Sequence, residues 1–114
     1  MEAIFRHGHP LMIDYTPGTA KAAGTVVVVG GVSGLTNVVV HVDIAAGELA
    51  AAAAGGGVYD MVCAGAYALG AKVYWDDAAK KVTSVNTNGV FGYMAEGSAA
   101  GGSAVAKVIH DPRV

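Results

Sequence analysis

A small all-β domain, a sandwich or barrel-like arrangement resembling a jelly roll, is the fold class this 114-residue sequence predicts. Three observations carry that expectation. Valine recurs in short runs, and valine and tyrosine suit the pleated, half-buried surface of a strand. Glycines punctuate those runs at the close intervals typical of strand-and-turn domains. The stretch "GVYDMVCAG", residues 57–65, sets Val58, Asp60 and Val62 against Tyr59, Met61 and Cys63, the two-residue alternation of a strand with unlike faces. The length suits one domain with a modest core and leaves no room for a second.

The first segment, "MEAIFRHGHPLMIDYTPG", carries Pro10 and Pro17, with His7 and His9 on either side of Gly8. Proline cannot donate to a ladder, so it argues for an edge strand or an extended arm. Residues 1–16 are read as an extended N-terminal arm and residues 17–114 as a single β domain. Ile4, Phe5, Leu11, Met12 and Ile13 are the apolar groups such an arm could insert into a partner. "TVVVVGG", residues 25–31, reads as a strand closed by a glycine turn, and "TNVVVHVDIAAG", residues 36–47, as the next strand. "ELAAAAAGGG", residues 48–57, has the local preference of a short helix with a glycine stop. A small-residue strand is the other reading and is preferred, because alanine alone cannot hold a short helix in water. "AKVYW" and "KKVTSV" flank the turn "DDAA", and "GVFGYMAEG" and "SAVAKVIHD" complete the series.

The chemically dense stretch is "VYWDDAAKKVTS", residues 73–84. Asp76 and Asp77 suggest paired acids, but neighbours on a strand point to opposite faces, and aspartate in a turn bonds nearby backbone N–H groups. The stretch is therefore read as a β-hairpin with a polar tip, its second strand restarted by Lys80 and Lys81. Tyr74 and Trp75 lie on opposite faces of the first strand, so one packs into the core and the other is free for a partner. His7 and His9, two residues apart, could serve two metal ligands, but no Cys, Asp or Glu nearby completes a set. His41 and His110 stand alone in the sequence. "GGVSGL", residues 30–35, does not fit G-x-S-x-G, and neither a P-loop nor G-x-G-x-x-G occurs. No catalytic residue, cofactor or metal is expected.

Composition narrows the partners. Hydrophobic residues make up 54% and charged residues 14%, against about 25% charged in an average soluble domain. So sparse a charged surface is expected to be covered by sister subunits or a larger partner. The net charge of -2 and the lack of a basic stripe argue against nucleic acid. No apolar run nears the roughly 20 residues that span a bilayer, so no membrane contact is expected. The opening residues lack the basic and apolar regions of a signal peptide. The single cysteine, Cys63, is expected as a buried thiol.

The order of the pieces carries a resemblance. "YTPGTAKAAGTVVVV", "VDIAAGELAAAAAGGGVYDM", "GAKVYWDDAAKKVTS" and "GVFGYMAEG" followed by a Val-rich end resemble the capsid cement, or head decoration, proteins of tailed bacteriophages. The strongest marks are "GAKVYWD" and "DIAAGEL" followed by "GVY"; the sequence departs from the family pattern at "VVVHV", residues 38–42, and in the alanine–glycine run. The resemblance implies a small β-rich structural protein without enzymatic activity on the outer surface of the phage head, assembled in the bacterial host cytoplasm. Its implied partners are the major capsid protein and copies of itself, as a dimer or trimer. Capsid or subunit contacts are then expected at Ile4, Phe5, His7, His9, Leu11, Met12, Ile13, Tyr74 and Trp75. The alternative function is a small β-barrel binding or receptor-recognition module of a phage tail or spike.

Overall fold

The computed structural model describes residues 3–8, 10–29, 36–102 and 104–112. Ten strands run in chain order: β1 (Ala3–Gly8), β2 (Met12–Tyr15), β3 (Val26–Val28), β4 (Asn37–Val40), β5 (Ala50–Ala53), β6 (Gly57–Cys63), β7 (Lys72–Asp76), β8 (Lys81–Thr83), β9 (Val90–Met94) and β10 (Ala104–His110). No helix occurs among the described residues, and the fold is all-β as expected. The strands form a six-stranded sheet, ordered β1-β6-β10-β9-β7-β8, and a four-stranded sheet, ordered β2-β5-β4-β3. The larger sheet curls until β8 meets β6 at one parallel bridge, Cys63 opposite Val82, which closes β6, β10, β9, β7 and β8 into a small barrel.

The two sheets share one bent ribbon. β1 pairs antiparallel with β6 in the larger sheet, and β2 pairs antiparallel with β5 in the smaller. The chain therefore keeps one partner segment while it changes sheets. The corner is made of residues that need no side-chain room. Gly8 has φ +100°, and a Cβ there would sit 2.6 Å from the Gly56 carbonyl oxygen. Pro10, which has no N–H to place, lies in the crossing, and Leu11 N–H donates to Gly55 O at 2.9 Å just beyond it. The run "AAAAAGGG" thus resolves into a strand of small residues followed by a glycine corner.

This geometry revises the expected arm of residues 1–16. Its described residues are extended, and they lie at sheet edges as the proline argues. They are nevertheless paired into the body: Ala3 is a core residue and its N–H donates to Gly24 O at 3.0 Å. The physical reason is the apolar content of the segment, which the fold partly buries by giving β6 and β5 an edge partner each.

The core joins both sheets. Tyr59, Met61, Cys63, Val73, Trp75, Phe91, Met94 and Val108 come from the barrel, and Val26, Val39 and Ala53 from the smaller sheet. The strand β6 reads buried and part-buried in strict alternation, so Tyr59, Met61 and Cys63 form its inner face. Gly92 lets β9 approach β10 closely, since a Cβ there would collide with the Ile109 carbonyl.

Candidate functional site

Asp76 and Asp77 make a hairpin tip. Asp76 Oδ1 accepts from Ala79 N–H at 3.2 Å, and Lys80, at φ +58°, closes the turn with its N–H on Asp76 O at 2.8 Å. Asp77 Oδ1 accepts from Trp75 Nε1–H at 3.1 Å and from the Lys80 ammonium at 3.0 Å. Desolvation pushes the Asp77 carboxyl up, but those hydrogen bonds and the Lys80 and Lys21 charges outweigh it and hold it below the usual range. A carboxylate held ionised by structural donors is a turn lock rather than a general acid.

Of the aromatic pair in β7, Trp75 fills the core at 0% exposure and packs on Phe91, ring centroids 6.1 Å apart. Tyr74 stays half-buried on the opposite face, with Lys72 Nζ 5.9 Å from its ring centre. His7 lies in β1 opposite Val58, and its side chain, like the whole of His9, falls outside the described residues. The segment 30–35 falls outside them as well. Among the described residues no three His, Cys, Asp or Glu side chains converge on a point that could hold a metal ion. Cys63 is buried, and burial pushes its thiol up, away from the reactive thiolate.

The structure assembles two histidine sites that single-residue reasoning left isolated. His41 Nε2 is 2.6 Å from the Tyr59 hydroxyl, and its ring leans on Phe5 with centroids 5.0 Å apart. Phe5, His41, Ala3, Ala23, Gly24 and Val40 line a groove of about 180 Å³ beside the outer edge of β1. His110 is fully buried, and its Nε2 is 2.8 Å from Asn37 Oδ1. Asn37 Nδ2 donates to Val90 O at 3.0 Å and to Thr36 Oγ1 at 3.1 Å, so its Oδ1 is the acceptor and His110 carries its proton on Nε2. The other ring nitrogen, Nδ1, is buried without a hydrogen-bond partner in the protein. Thr36 completes the knot, with Oγ1 2.6 Å from Val90 O and 2.8 Å from Pro112 O. Burial, with a smaller contribution from the His41 charge, lowers the His110 imidazole to about 3. This knot ties β4 of the smaller sheet to β9 and β10 of the larger. It is a structural clamp: apart from His110 Nδ1, its polar side-chain atoms bond to one another or to backbone carbonyls of the same chain.

With no catalytic arrangement in the described site, the surface and the overall likeness of the chain become the informative features. A family model described as phage cement protein matches residues 5–109. The chain belongs to the phage cement protein family. No curated protein matches it. Membership carries a structural role at the phage capsid, association with capsid proteins and a capsid-associated place on the virion, and this structural family is normally non-enzymatic. The match runs from β1 into β10, so the family pattern takes in both sheets and the corner between them.

This cement protein shows part of its exposed apolar surface along the ribbon that the two sheets share. Leu11 is 70% exposed, and Ile4, Phe5 and Met12 lie near 40% at 37%, 40% and 42%. Ile13 is part-buried. The signal for these positions was present in the sequence as apolar residues around a proline. The signal for the Thr36–Asn37–His110 knot was not, because His110 is 73 residues from Asn37 in the chain and the three carry no common motif.

Proposed function

We propose that this chain binds the outer surface of the phage head and bridges neighbouring major capsid subunits, stabilising the shell against the pressure of packaged DNA. The family match over residues 5–109 supports the capsid as partner. The edge strands β1 and β2 support the manner of attachment. They leave Ile4, Phe5, Leu11 and Met12 in water along sheet edges, where a partner can both cover apolar surface and add main-chain hydrogen bonds. Tyr74 offers a half-buried ring to the same purpose, whereas Trp75 is withdrawn into the core. His7 and His9 belong to the proposed contact by their place in the chain. A subunit that touches two capsid subunits makes their separation cost its own contacts as well. Copies joined as a dimer or trimer multiply those contacts through effective concentration, so weak single attachments hold firmly together. Assembly in the bacterial host cytoplasm goes with this reading.

The test is a cryo-EM reconstruction of heads incubated with the protein, alongside quantitative head binding. Density on the outer face across capsid-subunit junctions is expected. The double variant Leu11→Asp/Met12→Lys, altered only at exposed positions, is expected to fold and to lose most head binding. Density confined to the tail, or wild-type decoration by the double variant, overturns the proposal or its contact surface respectively.

A further inference from the structure

We propose that the outward face of the larger sheet docks head to tail against the acidic end of the smaller sheet in a second copy of this chain. The inference rests on the cement-protein reading only in assuming that copies meet one another. An antiparallel sheet with one face on a core normally turns polar residues to water on the other. Here the outward positions run the other way. Val62 stands opposite Val105, and Ile109 opposite both Val58 and Tyr93, giving an apolar ladder across β6, β10 and β9. Val105, in the middle of this ladder, is 60% exposed.

Most of the charges on this face are already paired. Arg6 Nε lies 2.6 Å and Lys107 Nζ 3.7 Å from the Asp60 carboxylate, whose side chain is only 14% exposed. Glu96 is 4.0 Å from Lys107 at the margin, and Lys72 follows Tyr93 on the ladder. Three cations therefore meet two acids, for a charge of +1 on the face. Two such faces pressed together would oppose like charge, which disfavours a symmetric face-to-face dimer.

The complementary surface is on the same chain. Asp14, Asp43 and Glu48 make no ion pair among the described residues, and with Lys21 they give the end of the smaller sheet a charge of -2. Lys21 bridges Ile44, Asp43 accepts from Ala23 N–H at 2.8 Å, and Gly47 N–H donates to Pro17 O at 2.8 Å, which ties residues 17–23 to residues 43–47, while Asp14 lies in β2 opposite Ala51. This end also exposes Leu49 and Val42, at 66% and 54%, for the apolar ladder to cover. A contact between unlike patches repeats from copy to copy, as a ring where its rotation closes and as an open chain where it does not, so it joins copies in series rather than as a two-fold dimer.

Engineered cysteines test this directly, since Cys63 is buried and does not compete. Val105→Cys and Leu49→Cys are made singly, then mixed, and also combined in one chain, free at high concentration and bound to heads. Under mild oxidation the mixture is expected to shift to species of twice the chain mass, the doubly substituted chain to multimers of three or more copies, and neither single variant to shift. Val105→Cys linking to itself overturns the proposal in favour of a face-to-face dimer. Its linking to the capsid protein assigns the face to the head and overturns the proposal too, as does the absence of any link in both settings. Head binding by the wild-type chain is scored separately, so failure of the cement reading is distinguishable from failure of this one.

Discussion

Acidification is the perturbation to which the clamp between the sheets is most sensitive. His110 is neutral and fully buried in the native state, with its imidazole lowered to about 3 from an ordinary value near 6.5. In the unfolded chain it takes a proton near pH 6.5. The native state therefore binds fewer protons than the unfolded one between those limits, and stability falls as the pH falls. It is fully present above pH 6.5 and drains toward pH 3. Each pH unit in that window costs about 1.4 kcal/mol, so moving from pH 7 to pH 5 removes about 2 kcal/mol through this one group. That is a substantial fraction of the roughly 5–15 kcal/mol that holds a domain folded. His41, also lowered by burial, adds loss of the same sign. Urea unfolding at pH 7.5, 6 and 5 reads the effect before most carboxylates titrate. His110→Gln keeps a donor for Asn37 Oδ1 and cannot ionise, so it should be less stable at pH 7.5 yet show a clearly shallower slope between pH 7 and 5. Equal slopes in the two proteins, or an NMR titration of His110 with a midpoint near 6.5, would refute the reasoning.

Three further outcomes are expected. Trp75→Ala removes a fully buried ring and its hydrogen bond to Asp77, and should cost about 3–5 kcal/mol in chemical denaturation; a loss below about 1 kcal/mol would place the ring outside the core. Gly92→Ala sets a methyl group into the Ile109 carbonyl and should abolish the cooperative thermal transition or lower its midpoint steeply, whereas Gly47→Ala, with open space around its Cβ position, should cost only the strain of its φ of +77°. Deleting residues 1–9 uncovers the edge of β6 and removes Ala3 from the core, so light scattering should show aggregation and thermal scans a lower midpoint; an unchanged midpoint would show that β1 is a detachable arm after all.

The sequence by itself determined the elements that depend on near neighbours. Valine runs cut by glycine made strands, the alternation from Val58 to Cys63 made β6 with one buried face, and Asp76 to Lys81 made a hairpin tip through turn chemistry that needs no distant partner. Pro10 correctly barred its segment from the middle of a sheet. What only the tertiary structure decided was the far partner of each element. The alanine run became β5 because β2 and β4 supply hydrogen bonds on both sides, which outweighs a weak local helix preference. The N-terminal segment became two edge strands instead of a free arm because β6 and β5 offered edges that its apolar residues could cover. Which of Tyr74 and Trp75 turned inward was set by the side of β7 that meets Phe91. His110 and Asn37 read as unrelated polar residues until folding brings them to 2.8 Å, because a hydrogen bond across 73 residues leaves no periodicity for local reasoning to find.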